Sequence, residues 1–149
     1  MAVRRHAREW AVQLLFQLDM NPGPVDAALE EFWSDPERKA DAPSRAFTEG
    51  LVRGVGKHRV KIDRTIRKCA EHWDLSRMGV LDRNVLRLGA YEILFCKDVP
   101  PAVAINEAVD LAKYFSDTKS GKFVNGILDR VRRDLDRPPA RRRKREKDA

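Results

Sequence analysis

The sequence has only two cysteines and no long apolar run, and each absence excludes a class of protein. Two thiols in 149 residues cannot form the several disulfides of a small secreted domain, so Cys69 and Cys96, both at apolar helical positions, are predicted to be buried free thiols. No stretch of about 18 uncharged apolar residues occurs, and no charged-then-apolar leader opens the chain. We therefore expect a cytoplasmic protein without membrane association.

The motifs of the common enzyme classes are also absent. His6, His58 and His72 lie in separate segments, and no C-x-x-C or H-E-x-x-H spacing indicates a metal site. The glycine-containing stretch 50–58 resembles a phosphate-binding loop, but Leu51 stands where that loop requires glycine and His58 where it requires serine or threonine. Nucleophile elbows and dinucleotide fingerprints are missing as well. The sequence predicts a protein that is not an enzyme and that binds no metal or cofactor.

Positive charge is in excess, but most of the excess lies at one end of the chain. The net charge is +7, and residues 137–149 contribute +5 of it, which leaves +2 for residues 1–136. The arginine-rich segment 137–149 has few apolar residues and is predicted to be a disordered basic tail. Because the body is nearly balanced, a nucleic-acid site on residues 1–136 requires a local cluster of cations.

What the sequence does contain is a series of apolar positions at helical spacing, with no convincing alternation typical of strands. Seven segments show this spacing, at about residues 7–18, 25–34, 44–55, 62–73, 82–97, 102–115 and 121–135. Gly54 and Gly56 predict a break or kink near the end of the third. The fifth is apolar around almost its whole circumference, so it is expected at the centre, with Asp82 as its N-cap.

The segments together predict an all-α fold within residues 1–136. We expect about seven helices in two linked bundles that share one core. The N-terminal bundle covers about residues 3–76 and the C-terminal bundle about residues 77–136.

A cluster of cations opens the first predicted helix, with Glu9 as the only acidic residue nearby. Cations at a helix N-terminus oppose the helix dipole, so their presence indicates a function such as contact with phosphates. The alternative is an ordinary solvated helix start. The cluster consists of Arg4, Arg5, His6 and Arg8.

Aromatic and cationic residues alternate in segment 113–125, which is predicted to include an interhelical loop. Single-stranded RNA is bound by such sets, because bases stack on aromatic rings for about 1–3 kcal/mol each while cations contact the phosphates. Phe115 is the better stacking candidate, whereas Phe123 is in phase with apolar positions and could equally be a core residue. Asn125 could read a base edge. Both clusters can serve one RNA strand only if the start of the first helix lies beside this turn, and we expect that proximity.

A third basic set lies in the fourth predicted helix. It is spread around the helix and has Asp63 and Glu71 among its members, so a solvated face is the expected role. The set consists of Lys57, Arg59, Lys61, Arg64, Arg67 and Lys68.

Four ordered blocks of the sequence resemble the NusB antitermination family. The blocks are RRHARE with the following AVQ (4–13), DRNVLRLGAYE (82–92), VP with VAINEAV (99–109) and KFVNGILD (122–129). The resemblance implies a seven-helix, two-bundle protein that binds the boxA segment of nascent ribosomal RNA leaders. It also implies that the protein does so jointly with Nus factor E, a small-subunit ribosomal protein, within the antitermination complex of RNA polymerase.

The resemblance also implies a set of site residues. Asp82 corresponds to a position on the surface that binds the ribosomal protein. Phe16 stands where some relatives carry tyrosine, and the basic tail is not part of the family pattern. The implied RNA-binding residues are Arg4, Arg5, Arg8, Phe16, Phe115, Lys119, Lys122, Phe123 and Asn125.

Two other functions remain open at this point. The chain could be a helical protein-interaction module without intrinsic RNA affinity, with RNA bound mainly by its partner. It could also be a DNA-binding protein that uses the basic tail. A homodimer is possible, because a surface that receives a partner can equally bind a second copy.

Overall fold

A computed structural model describes residues 2–70 and 74–136, and within them the chain forms seven α-helices and one short 3-10 helix, with no strand. The helices are α1 (Ala2–Met20), α2 (Val25–Trp33), α3 (Ala42–Lys57), α4 (Arg59–Cys69), the 3-10 helix (Leu75–Arg77), α5 (Val80–Phe95), α6 (Pro101–Phe115) and α7 (Thr118–Leu135). The predicted all-α fold is confirmed. The basic tail lies outside the described residues, so its disorder stays a prediction.

The helix α5 lies at the centre of the molecule, as its apolar circumference predicts. It contacts α1, α3 and α4 on one side and α6 and α7 on the other. Val85, Leu86, Leu88 and Ala90 are buried, and they belong to one hydrophobic cluster to which all seven α-helices contribute. The helices therefore share a core, whereas the division into two bundles near residue 76 stays a prediction. No helix in the described ranges combines the length and the apolar character needed to cross a membrane.

Two predictions about helix ends were wrong. The helix α3 continues through Gly54 and Gly56 to Lys57, because the tertiary contacts of α3 outweigh the modest helix-forming penalty of glycine. Gly54 has a packing role instead, since a Cβ there would collide with the ring of Tyr91. The N-cap of α5 is Gly79, so Asp82 lies inside the first turn and does not cap the helix.

Buried ion pairs fix α1 in an antiparallel orientation on α5. Near the start of α1, Arg8 forms two hydrogen bonds with Glu92, at 2.8 and 2.7 Å. Near the end of α1, Asp19 Oδ2 accepts hydrogen bonds from Arg83, Asn84 and Arg87 at 2.9, 3.0 and 3.0 Å. The two sets of polar contacts therefore determine the register between the two helices.

Both cysteines are free thiols. Cys69 is buried, and burial together with the nearby Asp134 raises the pKa of its thiol to about 11. Cys96 is only half-buried, at the end of α5. The prediction of buried thiols is therefore confirmed for Cys69 and only partly for Cys96.

Gly89 is the position where α5 passes closest to α6 and α7. A Cβ at this position would lie 2.5 Å from Leu128 Cδ1 and 3.2 Å from Ala108 Cβ. We expect Gly89→Ala to lower the free energy of unfolding by about 1–3 kcal/mol, because a buried methyl group must displace packed neighbours. Urea unfolding followed by circular dichroism measures the change.

Gly126 provides the matched control for Gly89. It lies within α7, and a Cβ there would have no neighbour within 4 Å. Gly126→Ala should raise the free energy of unfolding by about 1 kcal/mol, since alanine is the better helix former. Equal effects of the two alanine substitutions would contradict the close approach at Gly89.

Candidate nucleic-acid interface

The start of α1 is joined to α6 by Arg5. The Arg5 guanidinium donates hydrogen bonds to Glu107 Oε2 at 3.1 Å and to Asp110 Oδ2 at 2.8 Å, and half of its side-chain surface remains exposed. These contacts place the start of α1 beside α6, five residues or more before that helix ends at Phe115. They also offset the charge of Arg5, so a phosphate would share this cation with two carboxylates.

Arg4 and Arg8 do not point toward α6 with Arg5. The exposed Arg4 lies over the ring of Phe47 in α3, with 5.1 Å between the guanidinium carbon and the ring centroid. Arg8 is 2% exposed and is paired with Glu92 in the interior. We therefore correct the sequence-based role of Arg8 from RNA contact to structural ion pair, because a buried guanidinium with its donors occupied cannot reach a phosphate.

Phe16 lies on the same face of α1 as Arg5. They are eleven positions apart, which corresponds to just over three full helical turns and about 16 Å along the helix axis. The Phe16 side chain is 37% exposed, which is high for a phenylalanine. The α1 helix thus presents one aromatic ring in line with Arg5.

The turn between α6 and α7 is shorter than the sequence predicts. The helix α6 ends at Phe115, and α7 already begins at Thr118, with Asp117 as its N-cap accepting a 2.8 Å hydrogen bond from the Ser120 amide. Residues from Lys119 onward, predicted partly as loop, therefore lie in the first turns of α7. A helix holds these side chains at fixed angles, which a loop does not.

The polar and aromatic side chains of α7 fan across its exposed side. With 100° per residue, they follow one another around the helix in the order Asn125, Lys122, Lys119, Phe123 and cover about 160°. Asn125, Lys122 and Lys119 are exposed, whereas Phe123 is half-buried against the core. A ligand that crosses the start of α7 can reach all four, but one that runs along the helix cannot.

The site predicted from the sequence omits two further residues of this surface. Tyr114 is 69% exposed, and its ring meets that of Phe115 edge-on at a centroid distance of 5.0 Å. Lys113 packs against Gly121, where a Cβ would lie 2.9 Å from Lys113 Cγ. The signal that could have found both residues is their place in the alternating segment 113–125.

A cavity connects the start of α1 with the end of α6. It has a volume of about 410 Å³ and is lined by Arg5, Glu9, Asp110, Leu111, Lys113 and Tyr114. Because Lys113 also touches α7, the start of α1, the end of α6 and the start of α7 form one continuous surface. This surface, defined by Arg5, Tyr114, Phe115 and the α7 residues from Lys119 to Asn125, is called the α6–α7 surface below.

Asp82 lies at the border of the α6–α7 surface. Ser120 Oγ donates to Asp82 Oδ2 at 3.3 Å, which links the first turn of α5 to the first turn of α7. The Asp82 side chain is half-buried, and its negative charge is favourable near the positive end of the α5 dipole. A protein that contacted Asp82 would therefore lie beside anything bound at the start of α7.

Comparisons with known proteins agree on one family. The model of the NusB family matches residues 5–133. The transcription antitermination protein NusB of Myxococcus xanthus is 46% identical over 140 residues, which is 93% of this chain and 100% of that protein.

Solved structures show the same fold. NusB of T. maritima has a TM-score of 0.78 at 40% identity and matches 87% of this chain and 90% of that one. A crystal structure of the antitermination factors NusB and NusE in complex with dsRNA gives a TM-score of 0.81 at 31% identity, over 90% of this chain and 98% of that one. The match extends over almost the whole described body, in sequence and in structure, and the chain therefore belongs to the NusB family.

Proposed function

We propose that this protein is a transcription antitermination factor that acts by binding and not by catalysis. Its ligand is the boxA-type, single-stranded leader RNA of ribosomal RNA operons, which it binds together with NusE, the small-subunit ribosomal protein. The complex then joins the antitermination assembly of RNA polymerase. Support comes from the names of the relatives and from the structural neighbour that holds NusB, NusE and dsRNA.

The observation that carries the proposal is the composition of the α6–α7 surface. Exposed Lys119 and Lys122 supply positive charge, and the rings of Tyr114 and Phe115 lie four to eight residues before them in the chain. Unpaired bases can stack on such rings, whereas the bases of a duplex are already stacked on each other. This is why single-stranded RNA is the proposed ligand.

NusE is proposed to bind across the start of α5 at Asp82. The hydrogen bond between Ser120 and Asp82 places this position next to the cations of α7. A partner at Asp82 would therefore form one wall of the RNA path and add its own contacts to the strand.

The structure also favours a second candidate function, a protein-interaction module with little RNA affinity of its own. Arg8 is buried, and Arg5 is paired with two carboxylates. The number of cations open to phosphate is therefore smaller than the sequence indicates. In this case NusE supplies most of the RNA affinity.

Replacing Lys119 and Lys122 together with alanine should weaken RNA binding and reduce its salt dependence. Loss of two phosphate contacts is expected to lower the slope of log K against log salt by about 1.4, since each contact to a single strand contributes about 0.7. Fluorescence anisotropy with a labelled boxA-type RNA at several salt concentrations measures this slope. A slope equal to that of the wild type would show that neither lysine contacts a phosphate.

The matched control for this experiment removes two other exposed lysines, Lys39 and Lys57, which lie away from the α6–α7 surface. It lowers the net charge equally and should leave the slope unchanged. Each protein is titrated with and without NusE. Wild-type binding that occurs only with NusE would favour the interaction-module function.

A further inference from the structure

A groove with apolar walls and a cationic rim lies on a different part of the molecule. It occupies about 580 Å³ between α4, the end of α5 and the end of α7. Val60, Leu94, Val131 and Leu135 line its apolar part, and Val60 is 74% exposed, which is unusual for valine. The cations that line it are Lys57, Lys61, Arg64 and Lys68. We call it the α4 groove.

Three of the four cations, Lys61, Arg64 and Lys68, form a row along one side of α4, and Lys57 precedes them at the end of α3. The three follow one another at spacings of three and four residues, so they share a face and extend over about 10 Å. Lys68 lies 3.9 Å from Asp134, but among the described residues no carboxylate is within ion-pair distance of Lys57, Lys61 or Arg64. Like charges at these spacings repel and destabilise a helix, so the row needs an explanation.

The remaining cations of the same basic set behave differently. Arg59 turns away from the groove and forms ion pairs with Asp19 and Asp63, at 3.9 and 3.6 Å. Arg67 is exposed but does not line the groove. All six cations are exposed, as expected for a solvated face, but packing against α5 and α7 places only four of them around one cavity.

We propose that the α4 groove binds an acidic amphipathic segment of a protein partner. Carboxylates of such a segment would pair with the row of cations, and its apolar side chains would contact Val60 and Leu94. The row, about two helical turns long, suits an amphipathic helical segment better than a compact small molecule. Charge complementarity favours an acidic segment as the occupant, because a basic one would have the same sign as the rim.

The lining also favours a peptide over RNA. Its apolar residues are aliphatic, and the ring that lines it, that of His58, already stacks on Phe95 at a centroid distance of 3.9 Å. The groove therefore offers bases less aromatic surface than the α6–α7 surface does.

The α4 groove is separate from the proposed RNA site. Leu94 lies twelve residues beyond Asp82 in the same helix, about 18 Å along its axis. A partner in the groove would therefore leave the α6–α7 surface accessible, and the two sites can be tested independently.

The test uses a fluorescein-labelled peptide of about 14 residues, with leucine at every third or fourth position and glutamate and alanine elsewhere. A second peptide carries glutamine in place of each glutamate. We expect saturable binding of the acidic peptide to the wild-type chain and binding at least about tenfold weaker for the glutamine peptide. Amide shifts in NMR spectra should be confined to α4 and the ends of α5 and α7. Absence of saturable binding, or shifts elsewhere, overturns the proposal.

Two charge reversals in α4 provide the matched comparison. Arg64→Glu, inside the groove, should weaken the acidic peptide about tenfold, whereas Arg67→Glu, with the same change of charge outside it, should change affinity less than about twofold. Both side chains are exposed, so neither variant should unfold at a markedly lower temperature than the wild type. Equal losses would mean unspecific attraction and would overturn the proposal.

Two further measurements examine other occupants. An oligouridine of about 12 nucleotides should bind both variants equally; selective loss with Arg64→Glu would assign the groove to RNA and overturn the proposal. Light scattering should give the same mass for the wild type and Arg64→Glu. A wild-type dimer that Arg64→Glu dissociates would assign the groove to a second copy of this chain, which also overturns it.

Discussion

Glu92→Gln is expected to lower the free energy of unfolding by about 3–5 kcal/mol, the usual cost of leaving one charge of a buried pair without its partner. The side chains of Arg8 and Glu92 are only 3% and 2% exposed. Burial by itself lowers the pKa of Arg8, but its hydrogen bonds with Glu92 raise the pKa above the ordinary value. Because a guanidinium is not deprotonated in proteins, Arg8 stays charged in the variant and loses the carboxylate that compensates it.

Chemical unfolding of three variants separates this explanation from a simple loss of packing. Glu107→Gln breaks the surface pair with Arg5 and should cost no more than about 1 kcal/mol. The double variant Arg8→Met, Glu92→Leu should be more stable than Glu92→Gln, because apolar residues of similar volume can replace a buried pair. A double variant less stable than Glu92→Gln would contradict a purely electrostatic origin.

Asp19→Asn is expected to destabilise the fold by about 3 kcal/mol, the lower end of the range for broken buried pairs, because Asp19 keeps some contact with solvent. One oxygen of its carboxylate pairs with both Arg83 and Arg87, and its side chain is 11% exposed. The control Asp26→Asn should change the free energy of unfolding little, because Asp26, the partner of Arg53, has an 83% exposed side chain. Urea unfolding at neutral pH gives both values.

The effect of Asp19→Asn should depend on pH. Burial opposes ionisation of Asp19, but hydrogen bonds from Arg83 and Asn84 and the charges of both arginines hold its pKa below the ordinary value of 3.8. A lowered folded pKa means that the carboxylate contributes its full stability above the unfolded pKa and loses it as the pH falls through the folded pKa. The stability difference between wild type and Asp19→Asn should therefore shrink on acidification below about pH 4. A difference that stays constant down to pH 2 would contradict this role.

The helices were predictable because their signals are local. Apolar residues at helical spacing and the proline-containing loops between them depend only on neighbours in the chain. The errors occurred at helix ends, where only a few residues determine whether the helix continues or stops. Gly54 was predicted as a break from its helix propensity, but its contact with Tyr91, 37 positions away in the sequence, determines its role.

The sequence predicted which types of residue form the candidate site, but only partly which residues they contact. The alternating segment 113–125 does reach the surface, since Lys119, Lys122 and Asn125 are exposed. Arg5 and Arg8 look equivalent in the sequence, yet one is half-exposed and the other buried. The difference comes from Glu92, 84 positions away from Arg8, which no local pattern reveals.

The sequence by itself thus determined the helical class, the central place of α5 and the two segments that carry cations and rings, since all three follow from spacing and composition along the chain. Only the tertiary structure decided which cations remain available to a ligand. Burial and ion pairing depend on residues that are distant in sequence, so packing buries Arg8, pairs Arg5 with two carboxylates and places four cations of α3 and α4 around one groove.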